Sequence, residues 1–204
     1  MRDRILSWLE ANVTPPRLKH IQRVEQMCGE LARHHGLDEG KARSAGLMHD
    51  LAKYFQPQRL LQMAKAEGLE IDPVFASEPH LLHADVSAIV ARDEFGVEDE
   101  EILEGIRNHT LGKPNMSLLS CVVYLADTLE PGRGKSDELA RLRQTCQEDI
   151  YRAVWLTSEY SLRHLLEHGR LIHPRTILTR NWAMQMANQS ESAELKQLSV
   201  RIPA

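Results

Sequence analysis

The stretch Arg17-Leu-Lys-His-Ile-Gln-Arg-Val-Glu-Gln-Met-Cys-Gly-Glu-Leu31 sets Leu18, Ile21, Val24, Met27, Cys28 and Leu31 mostly three or four residues apart. Such spacing returns to one face of a helix with every turn, whereas a half-buried strand needs alternation at a period of two. The same period recurs in Leu118, Val122, Leu125 and Leu129. Aromatic residues make up only 5% of the chain, a low share for a sheet protein. The expected fold class is all-α.

Working outward, Pro and Gly divide the chain into about ten helical segments. Pro15-Pro16 opens the helix just quoted and Gly36 closes it, while Pro57 opens a shorter one that Gly68 ends. The stretch from Gly68 to Pro79 reads as a loop with one turn, and Glu130 to Ser136 as a second irregular stretch. Neither has the shift in composition that marks a linker, so residues 1–204 are expected to form a single domain with a C-terminal helical extension.

Several function classes drop out on composition. A formal net charge of −4 supplies no general basic field for nucleic acid or anionic lipid. No run approaches the roughly 18 apolar residues of a membrane span, and the charged opening Met-Arg-Asp-Arg-Ile-Leu-Ser lacks the apolar core of a secretory signal. Cys28, Cys121 and Cys146 are odd in number and widely spaced, which fits a reducing cytoplasm better than a disulfide framework or a thiolate metal site. A cytoplasmic protein is expected, with no nucleic-acid or membrane partner.

Chemistry enters at Ala45-Gly-Leu-Met-His-Asp-Leu-Ala-Lys53, where His49, Asp50 and Lys53 interrupt an otherwise apolar or small run that reads as helical. An ionised carboxylate is costly to bury unless it is paired or holds a cation. Taken alone, His49 and Asp50 serve equally well as a structural pair and as a ligand pair. Asp127, in the apolar segment Val122-Val-Tyr-Leu-Ala-Asp-Thr-Leu129, raises the same difficulty. His20 alone reads as an exposed histidine, and His83 and His109 are each weak signals. Pro79 puts His80 near an exposed helix start, which favours His83 over His80.

The order His20, His49-Asp50, Asp127 resembles the HD superfamily of metal-dependent phosphohydrolases. Arg17-x-x-His20, Gly46-Leu-Met-His-Asp-Leu-Ala-Lys53, Asn108-His-Thr-Leu-Gly112 and Tyr124-Leu-Ala-Asp127-x-x-Glu-Pro-Gly-Arg133 look like its YqeK type, the symmetrical bis(5′-nucleosyl)-tetraphosphatases. The likeness spans about residues 15–185, including Ile172-His-Pro-Arg-Thr176. It implies an HD-type helical bundle that hydrolyses diadenosine tetraphosphate to two ADP through a water activated by metal. His20, His49, Asp50 and Asp127 would hold iron, in one or two positions, with manganese, cobalt or zinc as substitutes. Arg17, Lys53, His83, His109, Thr128, Arg133, His173 and Arg175 would bind substrate, with His83 and His109 alternatively completing a second metal. A homodimer is implied as well.

One departure stands out, since the family pattern His-x-Pro-x-Gly is here His83-Ala-Asp85-Val-Ser87. Facing the pocket, Asp85 would weaken anion binding or recruit a cation; facing solvent it would change nothing. Two alternatives to the tetraphosphatase remain: an HD-type nucleotidase or phosphodiesterase acting on another nucleotide, and a non-catalytic regulator that binds ADP or a similar nucleotide.

Overall fold

The computed structural model describes residues 1–200, with side chains through residue 189. Its described residues form eleven α-helices and no strand, in agreement with the all-α expectation. The first four are α1 (Arg2–Asn12), α2 (Pro15–His34), α3 (Glu39–Met48) and α4 (Pro57–Ala66). Next come α5 (Pro73–Ser77), a 3-10 turn (Pro79–Leu82), α6 (His83–Phe95) and α7 (Glu100–Asn108). After α8 (Leu118–Leu129) a second 3-10 turn (Pro131–Arg133) leads to α9 (Asp137–Glu148), α10 (Ile150–Glu167) and α11 (Pro174–Val200).

Capping chemistry places many of the starts. The side chains of Asp38, Asp72, Asp99, Ser117, Ser136 and Asp149 each accept a backbone N–H in the first turn of α3, α5, α7, α8, α9 and α10, satisfying donors that a helix start leaves free. Pro15 and Pro57 stand in the first turns of α2 and α4, where a missing N–H costs nothing. The helix α6 stops at Gly96, whose φ of 69° is the left-handed conformation that glycine adopts freely.

The centre of the molecule is α8, which packs on α2, α3, α7 and α10. Leu119, Cys121, Val122, Val123, Leu125, Ala126 and Leu129 are all buried, so this helix is enclosed on nearly every side. The helices α2 and α3 approach closely at Gly46, where a Cβ would lie 2.8 Å from Cys28 Sγ and 3.1 Å from the Glu25 backbone. That approach brings the C-terminal end of α3, and hence His49-Asp50, beside α2 and α8. The C-terminal α11 lies against α10, with Trp182 packed edge-on to Tyr151 at 5.6 Å. All three cysteines are buried free thiols. No helix among the described residues is long and apolar enough to cross a membrane.

Candidate metal centre

His49 is not inside α3, as the apolar run predicts, but caps its C-terminus, and Asp50 lies in the turn that follows. The correction has a geometric consequence. Residues one apart on a helix diverge by about 100°, whereas the turn after Met48 lets both side chains face one point: His49 Nε2 lies 3.3 Å from Asp50 Oδ2. His20 reaches the same place from α2 and Asp127 from α8. His20 Nε2 is 3.0 Å from Asp127 Oδ1 and 3.9 Å from Asp50 Oδ2, and His49 Nε2 is 3.7 Å from Asp127 Oδ1. His20 is buried rather than exposed, because its polar partners are supplied from helices distant in sequence.

The other Asp50 oxygen, Oδ1, looks toward a second pair, with His83 Nε2 at 3.4 Å and His109 Nε2 at 3.8 Å. Two groups result, His20-His49-Asp50 and Asp50-His83-His109, each with candidate ligand atoms within 4.8 Å of one another. Asp50 belongs to both. His83 opens α6 and His109 caps α7, so three of the four histidines stand at helix ends, where a carbonyl three residues back remains within reach.

Those carbonyls set the tautomers. Nδ1–H of His49, His83 and His109 donates to Gly46 O at 2.7 Å, His80 O at 2.6 Å and Ile106 O at 2.8 Å. Each Nε2 is thereby left as a lone pair facing the centre. His83 Nε2 and His109 Nε2 stand 3.1 Å apart, and buried His49 Nε2 makes no well-aligned hydrogen bond, with Asp50 Oδ2 3.3 Å away. Converging lone pairs and two carboxylates, answered only in part by donors from Arg17, Lys53 and Arg133 at the rim, fit a bound cation. The mixed nitrogen and oxygen donors suit first-row divalent metals.

Charge at the site follows the same logic. Burial works to raise the Asp50 carboxyl, yet His49, His83 and Lys53 hold it well below the ordinary carboxylate range. Asp127 is likewise lowered, burial being overcome by His20 and His49. Burial, with His49 and His83 nearby, pushes His109 well below the ordinary imidazole value, which keeps it a neutral ligand candidate.

Basic residues rim the cluster. Arg17 donates to Asp50 Oδ2 at 3.0 Å, Arg133 to Asp127 Oδ1 at 2.8 Å, and Lys53 Nζ stands 3.0 Å from His83 Nε2. A cleft of about 230 Å³ opens onto His20 between Thr14, Arg17, Tyr54 and Arg133. A roomier groove of about 710 Å³, lined in part by Leu142, Leu156 and Leu166, runs between α9 and α10 and shares no lining residue with the cluster.

Not every expected residue joins this constellation. Thr128 bonds back to Tyr124 O within α8 at 3.4 Å. The His173 ring packs on Phe75 at 4.4 Å, with Nε2 2.9 Å from Asp72 Oδ2. Arg175 donates to Gly112 O at 3.1 Å and lies 3.6 Å from Asp85 Oδ2. Asp85 thus meets neither of the two sequence expectations: it is buried and faces Arg175, which offsets part of the upward push that burial gives its pKa. Glu130, Arg23, Tyr54, Thr14 and Thr110 are polar residues of the site that sequence reasoning left without a role. Glu130 did carry a signal, since it closes an apolar helix three residues after Asp127.

Residues 17–132 match the family described as HD domain. The chain is 34% identical to the symmetrical bis(5′-nucleosyl)-tetraphosphatase of Bacillus subtilis, across 89% of this chain and 96% of the relative. It is 32% identical to the protein of the same name from Halalkalibacterium halodurans, across 88% and 95%. A crystal structure from Clostridium acetobutylicum, described as a predicted HD superfamily hydrolase involved in NAD metabolism, superposes with a TM-score of 0.87 at 33% identity, covering 91% of this chain and 98% of that one.

Proposed function

The chain belongs to the HD domain family, and from that premise we propose that it is a symmetrical dinucleoside tetraphosphatase that cleaves diadenosine tetraphosphate to two ADP in a metal-dependent reaction. The observation that carries the metal requirement is the orphaned His49 Nε2 among converging lone pairs and carboxylates. The substrate comes from the relatives, which carry that activity in their names over nearly their whole length.

We assign His20, His49, Asp50 and Asp127 to hold one metal, and His83 and His109 to share Asp50 with a second. Iron is the proposed ion, with manganese, cobalt or zinc able to replace it on this donor set. A metal held by these residues would supply Lewis-acid polarisation of a phosphoryl oxygen and a lowered pKa for water. The protein's part is positioning and charge. Arg17, Lys53 and Arg133 neutralise the polyphosphate, for which the planar Arg fork is well suited. Thr128, His173 and Arg175, whose contacts lie outside the cluster, are assigned to the nucleotide on the family resemblance alone. Water adds to phosphorus at the central anhydride, the bridging bond breaks, and each half leaves as ADP. A homodimer in the cytoplasm completes the proposal; buried free thiols suit a reducing compartment.

Incubating iron-reconstituted protein with diadenosine tetraphosphate should release ADP alone, whereas AMP plus ATP would overturn the symmetrical cleavage. His49→Ala and Asp50→Ala should lose metal and activity together, and full activity in either would refute the assigned centre. The description of the Clostridium structure favours a second reading, hydrolysis of a nucleotide from NAD metabolism, which the same assay run on a panel of nucleotides separates.

A further inference from the structure

We infer that Glu130 is a positioning residue that ranks the two groups sharing Asp50, making the His20 side the tighter metal position. The inference rests on the metal-dependent reading above. Of the four histidines, His20 alone turns Nδ1 toward a charged group: Glu130 Oε1 lies 3.0 Å away, whereas the other three donate to backbone carbonyls.

Glu130 is 1% exposed and fixed in place. Arg23 pairs with both its oxygens, and the Gly132 N–H donates to Oε2. A buried carboxylate accepting Nδ1–H locks the ring and makes Nε2 a stronger donor; losing such a partner typically costs about 10–100-fold in metal affinity. The His20 side also has Asp127 within 3.0 Å of His20 Nε2 and 3.7 Å of His49 Nε2. On the other side Asp50 is the carboxylate, and the Lys53 ammonium stands 3.0 Å from His83 Nε2, where it opposes a cation. Arg17 and Arg133 offset some negative charge on the His20 side, so the ranking comes from the Glu130 bond and the extra Asp127 donor.

The ranking is testable in the unaltered chain. When zinc is added to metal-stripped, 15N-histidine-labelled protein, the His20 and His49 ring signals should move with the first equivalent and those of His83 and His109 with the second. The reverse order, or simultaneous movement, overturns it. Chelator competition then tests Glu130 itself. Glu130→Gln should weaken the first equivalent by about 10–100-fold and leave the second within about twofold; an unchanged first constant, or equal losses in both, refutes the role. Arg23→Gln, which loosens Glu130 without touching His20, should move the same constant less far in the same direction, and keeps the test open if Glu130→Gln fails to fold. Wild-type protein that binds no zinc, manganese or iron would remove the metal reading itself, an outcome distinct from a defect confined to the variants.

Discussion

Asp50 and Asp127 bring negative charge together where it can persist only against histidines, basic side chains or a cation. Both folded-state pKa values lie below the ordinary carboxylate value of about 4. Their contribution to stability is therefore present above that value and is lost as the pH falls toward the depressed folded values. His49, raised because Asp50 and Asp127 outweigh burial, and His109, lowered chiefly by burial, act with opposite signs around the imidazole range. The acid limb therefore includes the two aspartates, beside other lowered carboxylates such as Glu104 and Glu130. Urea midpoints of metal-stripped protein should fall as the pH drops below about 4, and Asp127→Asn should flatten that fall; midpoints independent of pH between 5 and 3 would contradict the charge assignment.

At the scale of elements, the centre depends on how closely α3 lies on α2. Gly46 serves that contact twice, through the missing Cβ that admits Cys28 and through the carbonyl that receives His49 Nδ1–H. Gly46→Ala should destabilise the fold by about 1–3 kcal/mol, the usual cost of overpacking, and should weaken metal binding in the variant that does fold. Denaturant titration and metal analysis check the two parts, and an Ala variant of wild-type stability would show that α2 gives way more easily than its backbone contact implies. The helix ends matter for a related reason. Had α3 or α7 run one turn further, His49 or His109 would have become a mid-helix residue whose ring could not fold back on the same carbonyl. The apolar run Ala45 to Ala52 gave no sign of where α3 stops, which is why the pair read as helical in sequence.

For the whole molecule, the candidate ligands come from α2, the end of α3, the start of α6, the end of α7 and α8. An ion held as proposed, by His20 and Asp127 together, would tie together elements 107 residues apart, so metal and global stability should be linked. An ion at about 100 times its dissociation constant adds about 2.7 kcal/mol, which for a chain of this size corresponds to a rise of roughly 5–10 °C in melting temperature. Chelation should lower the calorimetric midpoint by that amount and added metal should restore it; an unchanged midpoint would mean that the cluster binds no ion tightly.

The sequence by itself determined the helical class through its 3.6-residue period, and it marked Asp50 and Asp127 as charges in apolar surroundings that demand partners. Those are local properties, readable from neighbours along the chain. The order of His20, His49-Asp50 and Asp127 added the family likeness. Only the tertiary structure decided that His20 is buried, that His83 and His109 share Asp50, that Asp85 faces Arg175, and that Glu130 stands behind His20. The pairings among these join residues 33 to 110 positions apart, brought together by helix packing. A histidine's burial and tautomer depend on what the rest of the fold sets against each of its nitrogens, and no local pattern carries that information.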